Sequence, residues 1–148
     1  MWASSVCSKN VAFIGQDASA RDAAGQMSES HAGTLVVVGP GEARPLGILT
    51  DRDLVLKVMA KGASPEAVCV ANVMTSEVAT CRHDDDLFEA ARLMRWHGVR
   101  RLPVLDAKGL VMGLVTADDI YAALAAHVAE LGQAFAREHL HEIEGTTP

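Results

Sequence analysis

The chain carries one pattern twice. Val6-Cys7-Ser8-Lys9-Asn10-Val11-Ala12 superposes on Val73-Met74-Thr75-Ser76-Glu77-Val78-Ala79 at an offset of 67 residues (73 − 6). The same offset sets Asp17 on Asp84, Ala23-Ala24 on Ala90-Ala91, Met27 on Met94, Leu35 on Leu102 and Val37 on Val104. One residue fewer in the next turn makes the offset 66, which sets Gly47-Ile48-Leu49-Thr50 on Gly113-Leu114-Val115-Thr116 and Asp53 on Asp119. A duplication of this extent constrains the fold more than any composition does: what one copy forms the other forms too, and the two must pack together.

Each copy reads β-α-β-β-α. An extended segment (11–14; 78–81) leads to a helix start with N-cap and N3 spacing at Ser19/Asp22 and at Asp86/Glu89. On that helix Ala23, Ala24 and Met27, and Ala90, Ala91 and Met94, are expected on one inward face. Two strands follow, 35–38 and 46–49 around Gly39-Pro40-Gly41, then 102–105 and 110–115 around 106–109. A second helix closes each copy, from Asp51 to Lys61 and from Ala117 onward. The predicted division is 6–61 for the first repeat, 62–72 for a linker holding a short helix at 66–72, and 73–125 for the second repeat. Residues 126–148 form an extension, helical from Tyr121 to about His141 and frayed from Gly145 to Pro148. One copy is near the lower limit for a stable core. Two can cover each other's sheets, and that pairing creates two clefts about a pseudo-twofold axis. The fold class is α/β (α+β), a tandem of β-α-β-β-α repeats.

Aromatic residues are 4% of the 148, against 49% apolar overall, so the core must be aliphatic, as buried strands under helices are. A net charge of −6 argues against a nucleic-acid partner, while Arg100-Arg101 remains a local spot for a small phosphate. Cys7, Cys69 and Cys81 match no zinc spacing and are odd in number, which points to free thiols in a reducing cytosol. There is no 18-residue apolar run and no basic-then-apolar leader, so the expectation is a cytoplasmic chain with no membrane partner.

No nucleophile elbow, Walker loop or dinucleotide fingerprint occurs, and no catalytic residue is named. Asp84-Asp85-Asp86 precedes a helix, where carboxylates cap and complement the dipole. His139 and His141 lie two apart and cannot share an ion on a helix, His127 is twelve residues upstream, and His31 and His97 end helices; no metal site is expected.

Gly47-Ile48-Leu49-Thr50-Asp51-Arg52-Asp53 and Gly113-Leu114-Val115-Thr116-Ala117-Asp118-Asp119 resemble the Gly-h-h-Thr-x-x-Asp signature of CBS (cystathionine-β-synthase-type) domains. Asn72-Val73-Met74-Thr75 and Val99-Arg100-Arg101-Leu102-Pro103-Val104 are similar to two further segments of that family. The likeness spans roughly residues 6–125 and is closest in arrangement to stand-alone bacterial CBS pairs, including the hypoxic-response type. It implies a pseudo-twofold Bateman module that binds an adenosine nucleotide such as AMP or ATP, as a regulatory ligand with no required cofactor. By that resemblance Asp53 and Asp119 would accept from ribose hydroxyls, and Thr50 and Thr116 would meet ribose or phosphate oxygens. Arg100 and Arg101 would meet the phosphates. Thr80, Cys81, Val99, Leu102 and Pro103 would wall the second copy's cleft, with Phe13, Ile14, Ala32 and Leu35 as counterparts in the first. The first copy has Gly33-Thr34 in place of Arg100-Arg101 and Val36 in place of Pro103, so its phosphate contacts are in question.

Thr-x-x-Asp is also a capping pattern and by itself only starts a helix. Two other readings therefore stand beside the regulatory ligand-binding module: a structural dimerisation or interaction module, and a metal or thiol redox sensor built on Cys81. Ile120, Leu124, Val128 and Leu131 form an apolar stripe at helical spacing, and a homodimer is expected to cover it, with a regulated protein as a further partner.

Overall fold

The computed structural model describes residues 1–145, and in it the duplication becomes two three-stranded sheets. The elements of the first half are α1 (Ala3–Val6), β1 (Phe13–Gly15), α2 (Ala20–Ser30), β2 (Thr34–Val38), β3 (Pro45–Thr50) and α3 (Asp51–Leu54). The second half holds α4 (Val70–Val73), β4 (Cys81–Arg82), α5 (Leu87–His97), β5 (Arg101–Leu105), β6 (Val111–Thr116) and α6 (Ala117–Gly145). Within each sheet the middle strand pairs parallel to the first and antiparallel to the third.

The helix starts follow the sequence. Ser19 Oγ accepts from Asp22 N at 3.0 Å in a reciprocal capping box, and Asp86 Oδ1 accepts from Glu89 N at 2.8 Å. At the other end His31 takes a left-handed conformation (φ 52°), the place that Gly98 (φ 66°) fills in the second copy. The inward face differs from the expected one. Ala20, Ala23 and Met27, and Leu87, Ala90 and Met94, are buried at i, i+3, i+7 spacing, while Ala24 and Ala91 turn outward. Residue i+1 lies about 100° round a helix, too far to share a narrow core contact. The helix expected over 51–61 opens into a π-helical turn at Val55–Met59, and the one expected over 66–72 shortens to α4.

The sequence repeats and the packing units are made of different residues. Ala3 and Cys7 lie in the core of the second half with Cys81, Leu102, Val104 and Val115. Val70 and Val73 lie in the core of the first half with Leu35, Val37, Leu49 and Val58. Backbone bonds tie each exchange: Ser8 pairs with Leu114 at 3.0 and 2.9 Å, and Thr75 pairs with Ile48 at 2.8 and 2.9 Å. The segment expected as a linker is thus a structural part of the first unit, and the opening residues are part of the second.

That crossing explains the signature glycines. A Cβ on Gly113 would collide with the Cys7 side chain and approach Ser8 O at 3.0 Å. One on Gly47 would collide with Met74 and approach Thr75 O at 3.1 Å. Only glycine lets the exchanged segment lie this close.

Strand alternation sends Leu35, Val37, Leu102 and Val104 into the two cores, yet Val36 and Pro103, on the opposite faces, are fully buried as well. Each sheet is covered on both sides. The loops after β2 and β5 also touch across the pseudo-twofold, through Val111 N to Ala43 O (2.8 Å) and Arg44 Nη2 to Lys108 O (3.3 Å). Of the expected tail, Gly145 closes α6 and residues 146–148 lie outside the described residues.

Candidate functional site

Thr50 ends β3 and Asp53 sits one turn into α3, locked together by the local hydrogen bonds of a helix start. Asp53 Oδ2 accepts from Thr50 N and Thr50 Oγ1, both at 2.9 Å. The second copy repeats this with Asp119 Oδ2 and Thr116 at 2.8 and 2.8 Å. Capping is therefore a real role of both motifs, and it uses one carboxylate oxygen of each. The other oxygen differs between copies. Asp53 Oδ1 faces Lys57 Nζ at 2.9 Å, whereas the residue matching Lys57 at the offset of 66 is Ala123. Burial alone would raise the Asp53 pKa; the hydrogen bonds from Lys57 and Thr50 outweigh it and hold the carboxyl below its usual range.

A cleft of about 480 Å³ opens beside this pair. Thr50, Asp51, Arg52 and Asp53 line one side and Gly98, Val99, Arg100 and Arg101 the other, with Val78 and Ala79 between. The arginines of the second copy thus stand across from the Thr-x-x-Asp of the first. The first copy has Gly33-Thr34 where the second has Arg100-Arg101, and the Arg100 and Arg101 guanidinium groups that line its cleft belong to the other repeat. Arg100 pairs with Asp118 at 3.3 Å, but both side chains are more than 75% exposed, so the pair is worth little and is easily exchanged. Around Thr116 there is only a hollow of about 170 Å³, shared with Arg100, Arg101, Ala117 and Asp118.

Thr34, at the position equivalent to Arg101, lines the large cleft and is only 7% exposed. Its hydroxyl is buried with no hydrogen-bond partner among the described residues. Pro103 changes the backbone bonding at the same wall. In the first copy Val36 N donates to Ala12 O at 2.9 Å. The equivalent donor to Ala79 O would be residue 103, and proline has no N–H, so β4 starts later than β1 and the Ala79 carbonyl at the cleft wall lacks its ladder bond. Sequence comparison marks Thr34 only as the residue standing in place of Arg101, and it does not mark Ala79, for which the Val-to-Pro exchange between copies is the available signal.

Several of the residues expected as walls lie outside the lining of this cleft. Cys81, Leu102, Ile14 and Leu35 point into the repeat cores, at 7% exposure or less, because their strand faces are the core-packed ones. Pro103 is buried, and Phe13, Ala32 and Thr80 are half-buried and do not line this cleft. Of the residues named in advance, Thr50, Asp53, Val99, Arg100 and Arg101 converge there. Burial pushes the Cys81 thiol up to about 12, with Asp85 and Cys7 adding to the effect. Among the described residues no three His, Cys, Asp or Glu side chains are grouped to hold a metal ion. No described helix is long and apolar enough to cross a membrane.

The CBS domain model matches residues 3–60 and again 70–126. The chain belongs to the CBS domain family. This CBS pair is 31% identical over 122 residues to hypoxic response protein 1 of Mycobacterium tuberculosis, covering 82% of this chain and 84% of that one. It is 34% identical over 110 residues to a CBS domain-containing protein of Bacillus subtilis, covering 74% and 76%. A Methanopyrus kandleri protein of uncharacterised role is 40% identical over 95 residues, covering 64% of this chain; the chain spans about half the length of that relative (48%). The crystal structure of hypoxic response protein I with two coordinated zinc ions superposes with a TM-score of 0.73 at 30% identity, over 82% of this chain and 98% of that one. A Pyrobaculum aerophilum CBS domain protein complexed with AMP gives 0.74 at 21% identity, over 85% and 99%, which shows the common fold.

Proposed function

We propose that this CBS pair is a non-catalytic regulatory module of the cytosol that takes an adenosine nucleotide into the large cleft and works as a homodimer. The observation that carries the reading is the buried Thr34 hydroxyl, without a hydrogen-bond partner among the described residues, in a wall shared with Arg52, Arg100 and Arg101. A buried polar group without a partner is costly, and a ligand that supplies the partner recovers that cost on binding. Three guanidinium groups suit phosphate oxygens. The Ala79 carbonyl suits an exocyclic amine of a purine. Asp53 has lone pairs left on both oxygens for ribose hydroxyls, since each carboxylate oxygen accepts more than one bond. The AMP held by a protein of the same fold gives the ligand class its precedent. The raised Cys81 pKa weighs against a thiol sensor, because the thiolate is the reactive form.

Thermal melting with AMP, ATP, NAD and S-adenosylmethionine in turn tests the reading. A bound nucleotide raises the melting temperature by mass action. Asp53→Asn and Arg101→Ala are expected to lose that shift, and Asp119→Asn to keep most of it. No shift with any of the four at millimolar concentration rejects nucleotide binding and leaves the structural interaction module as the better reading.

A further inference from the structure

Fixing a carboxylate in space takes two points of attachment. In both copies the motif aspartate gives one oxygen to the helix cap: Asp53 Oδ2 accepts from Thr50, and Asp119 Oδ2 from Thr116. One held oxygen leaves the rest of the group free to swing about it. Asp53 has the second point, because Lys57 Nζ stands 2.9 Å from Oδ1. Asp119 has alanine, Ala123, at the matching position.

An ordinary exposed i, i+4 ion pair would hold little, since a lysine stem is flexible and water screens the charges. This pair is different in two respects. The Asp53 side chain is only 17% exposed, and Lys57 Nζ also donates at 2.7 Å to the Val73 carbonyl. Val73 is the last residue of α4, where a helix leaves its final carbonyls without intrahelical donors and a basic side chain can supply one. The ammonium is therefore braced from the far side. The brace belongs to the exchanged segment, and Thr75 and Glu77, just beyond it, line the same cleft as Asp53.

Lys57 also lies within the π-helical turn Val55–Met59, closed by Ala60 N donating to Val55 O at 2.9 Å. Residues 121–125, which match that turn at the offset of 66, stay α-helical. Such turns are rare and concentrate at functional sites. Lysine, brace and π turn occur together in the copy whose Thr-x-x-Asp lines the large cleft.

A pair of vicinal hydroxyls can donate to one carboxylate only when its plane suits the sugar, and a plane fixed in advance saves the cost of ordering it on binding. We infer that Lys57 is the positioning residue for ribose recognition: braced on the Val73 carbonyl, it sets the plane of the Asp53 carboxylate toward the 2′- and 3′-hydroxyls of a bound nucleotide. This rests on the nucleotide reading of the large cleft.

Calorimetric titration of the full chain with AMP, 2′-deoxyAMP and 3′-deoxyAMP tests it. Wild type should bind AMP about tenfold or more tighter than either deoxy analogue, the worth of a hydrogen bond to a charged acceptor. Lys57→Met, which keeps the length of the stem and removes the donor, should bring that ratio close to one. Loss of a positive charge, or a general loosening of the fold, weakens all three ligands alike and leaves the ratio unchanged. Lys57→Arg, whose guanidinium can donate to both Asp53 and Val73, should keep the preference. A wild-type ratio in Lys57→Met overturns the inference and leaves nucleotide binding standing. So does a wild-type protein that binds all three equally, or a Lys57→Arg variant with no preference, since a donor at that position would then not suffice. Failure of wild type to bind any of the three overturns the nucleotide reading and the inference together.

Discussion

Lys57 Nζ lies 2.9 Å from Asp53 Oδ1 and donates at 2.7 Å to the Val73 carbonyl, joining the Thr-x-x-Asp motif to the exchanged segment at α4. The second copy has alanine at the matching position, so Asp119 keeps an oxygen with no protein partner among the described residues. One duplicated carboxylate is clamped and the other is not.

The clamp has a pH signature. The folded pKa of Asp53 is depressed below the unfolded value of about 3.9. Its contribution to stability is therefore fully present above that value and is lost as pH falls through the folded pKa. Lys57→Met leaves burial unopposed by the ammonium, so the same loss should begin at higher pH. Urea midpoints from pH 3 to 6, each compared with Asp53→Asn, measure the displacement; identical profiles for wild type and Lys57→Met would remove the clamp from the account.

Gly113→Ala and Gly47→Ala should both destabilise by about 1–3 kcal/mol, the usual cost of overpacking. Gly113→Ala should be the worse. The Cys7 side chain in its way is short and held in the core, while Met74 is long and has more freedom to move. Chemical denaturation of the two variants checks the order.

Thr34→Val should stabilise the ligand-free protein by about 1 kcal/mol, since it replaces a buried hydroxyl that has no partner with a group of the same shape. The same change should reduce the nucleotide-dependent melting shift. A variant that is destabilised without ligand would mean that the hydroxyl has a partner in the folded protein.

Pro103→Val should restore the donor that Val36 supplies in the first copy and lengthen β4 toward Ala79. Amide exchange should show a new protected N–H at residue 103. The discrimination of adenine over hypoxanthine nucleotides should fall, because the Ala79 carbonyl would no longer be free for an amine.

Cys81 should resist alkylation at pH 8, with its thiol pushed up to about 12 by burial, and should react only on unfolding. Cys69, half-buried, should be modified first; peptide mass mapping after a short iodoacetamide pulse distinguishes them.

Much of the fold was legible because duplication and strand alternation are local signals. The caps at Ser19 and Asp86, the strands around Leu35 and Leu102, and the pairing of Thr50 with Asp53 all follow from residues within a few positions of one another. The outward turn of Ala24 and Ala91 is not legible, because periodicity gives a face only to about one residue's width. The core placement of Cys81 and Leu102 is not legible locally, because alternation says that two faces exist and leaves open which of them meets the cleft.

The sequence by itself determined that two like units exist, that each begins its closing helix with Thr and Asp, and that Gly33-Thr34 in the first stands where Arg100-Arg101 stands in the second. Only the tertiary structure decided which halves work together. The exchange of residues 3–8 for 70–75, and the standing of Arg100 and Arg101 across from Thr50 and Asp53, depend on contacts between segments far apart in the chain. Sequence periodicity carries the geometry of a helix or a strand because that geometry repeats every few residues. The pairing of surfaces is settled by burying both faces of each sheet at once, and that is a property of the packed whole.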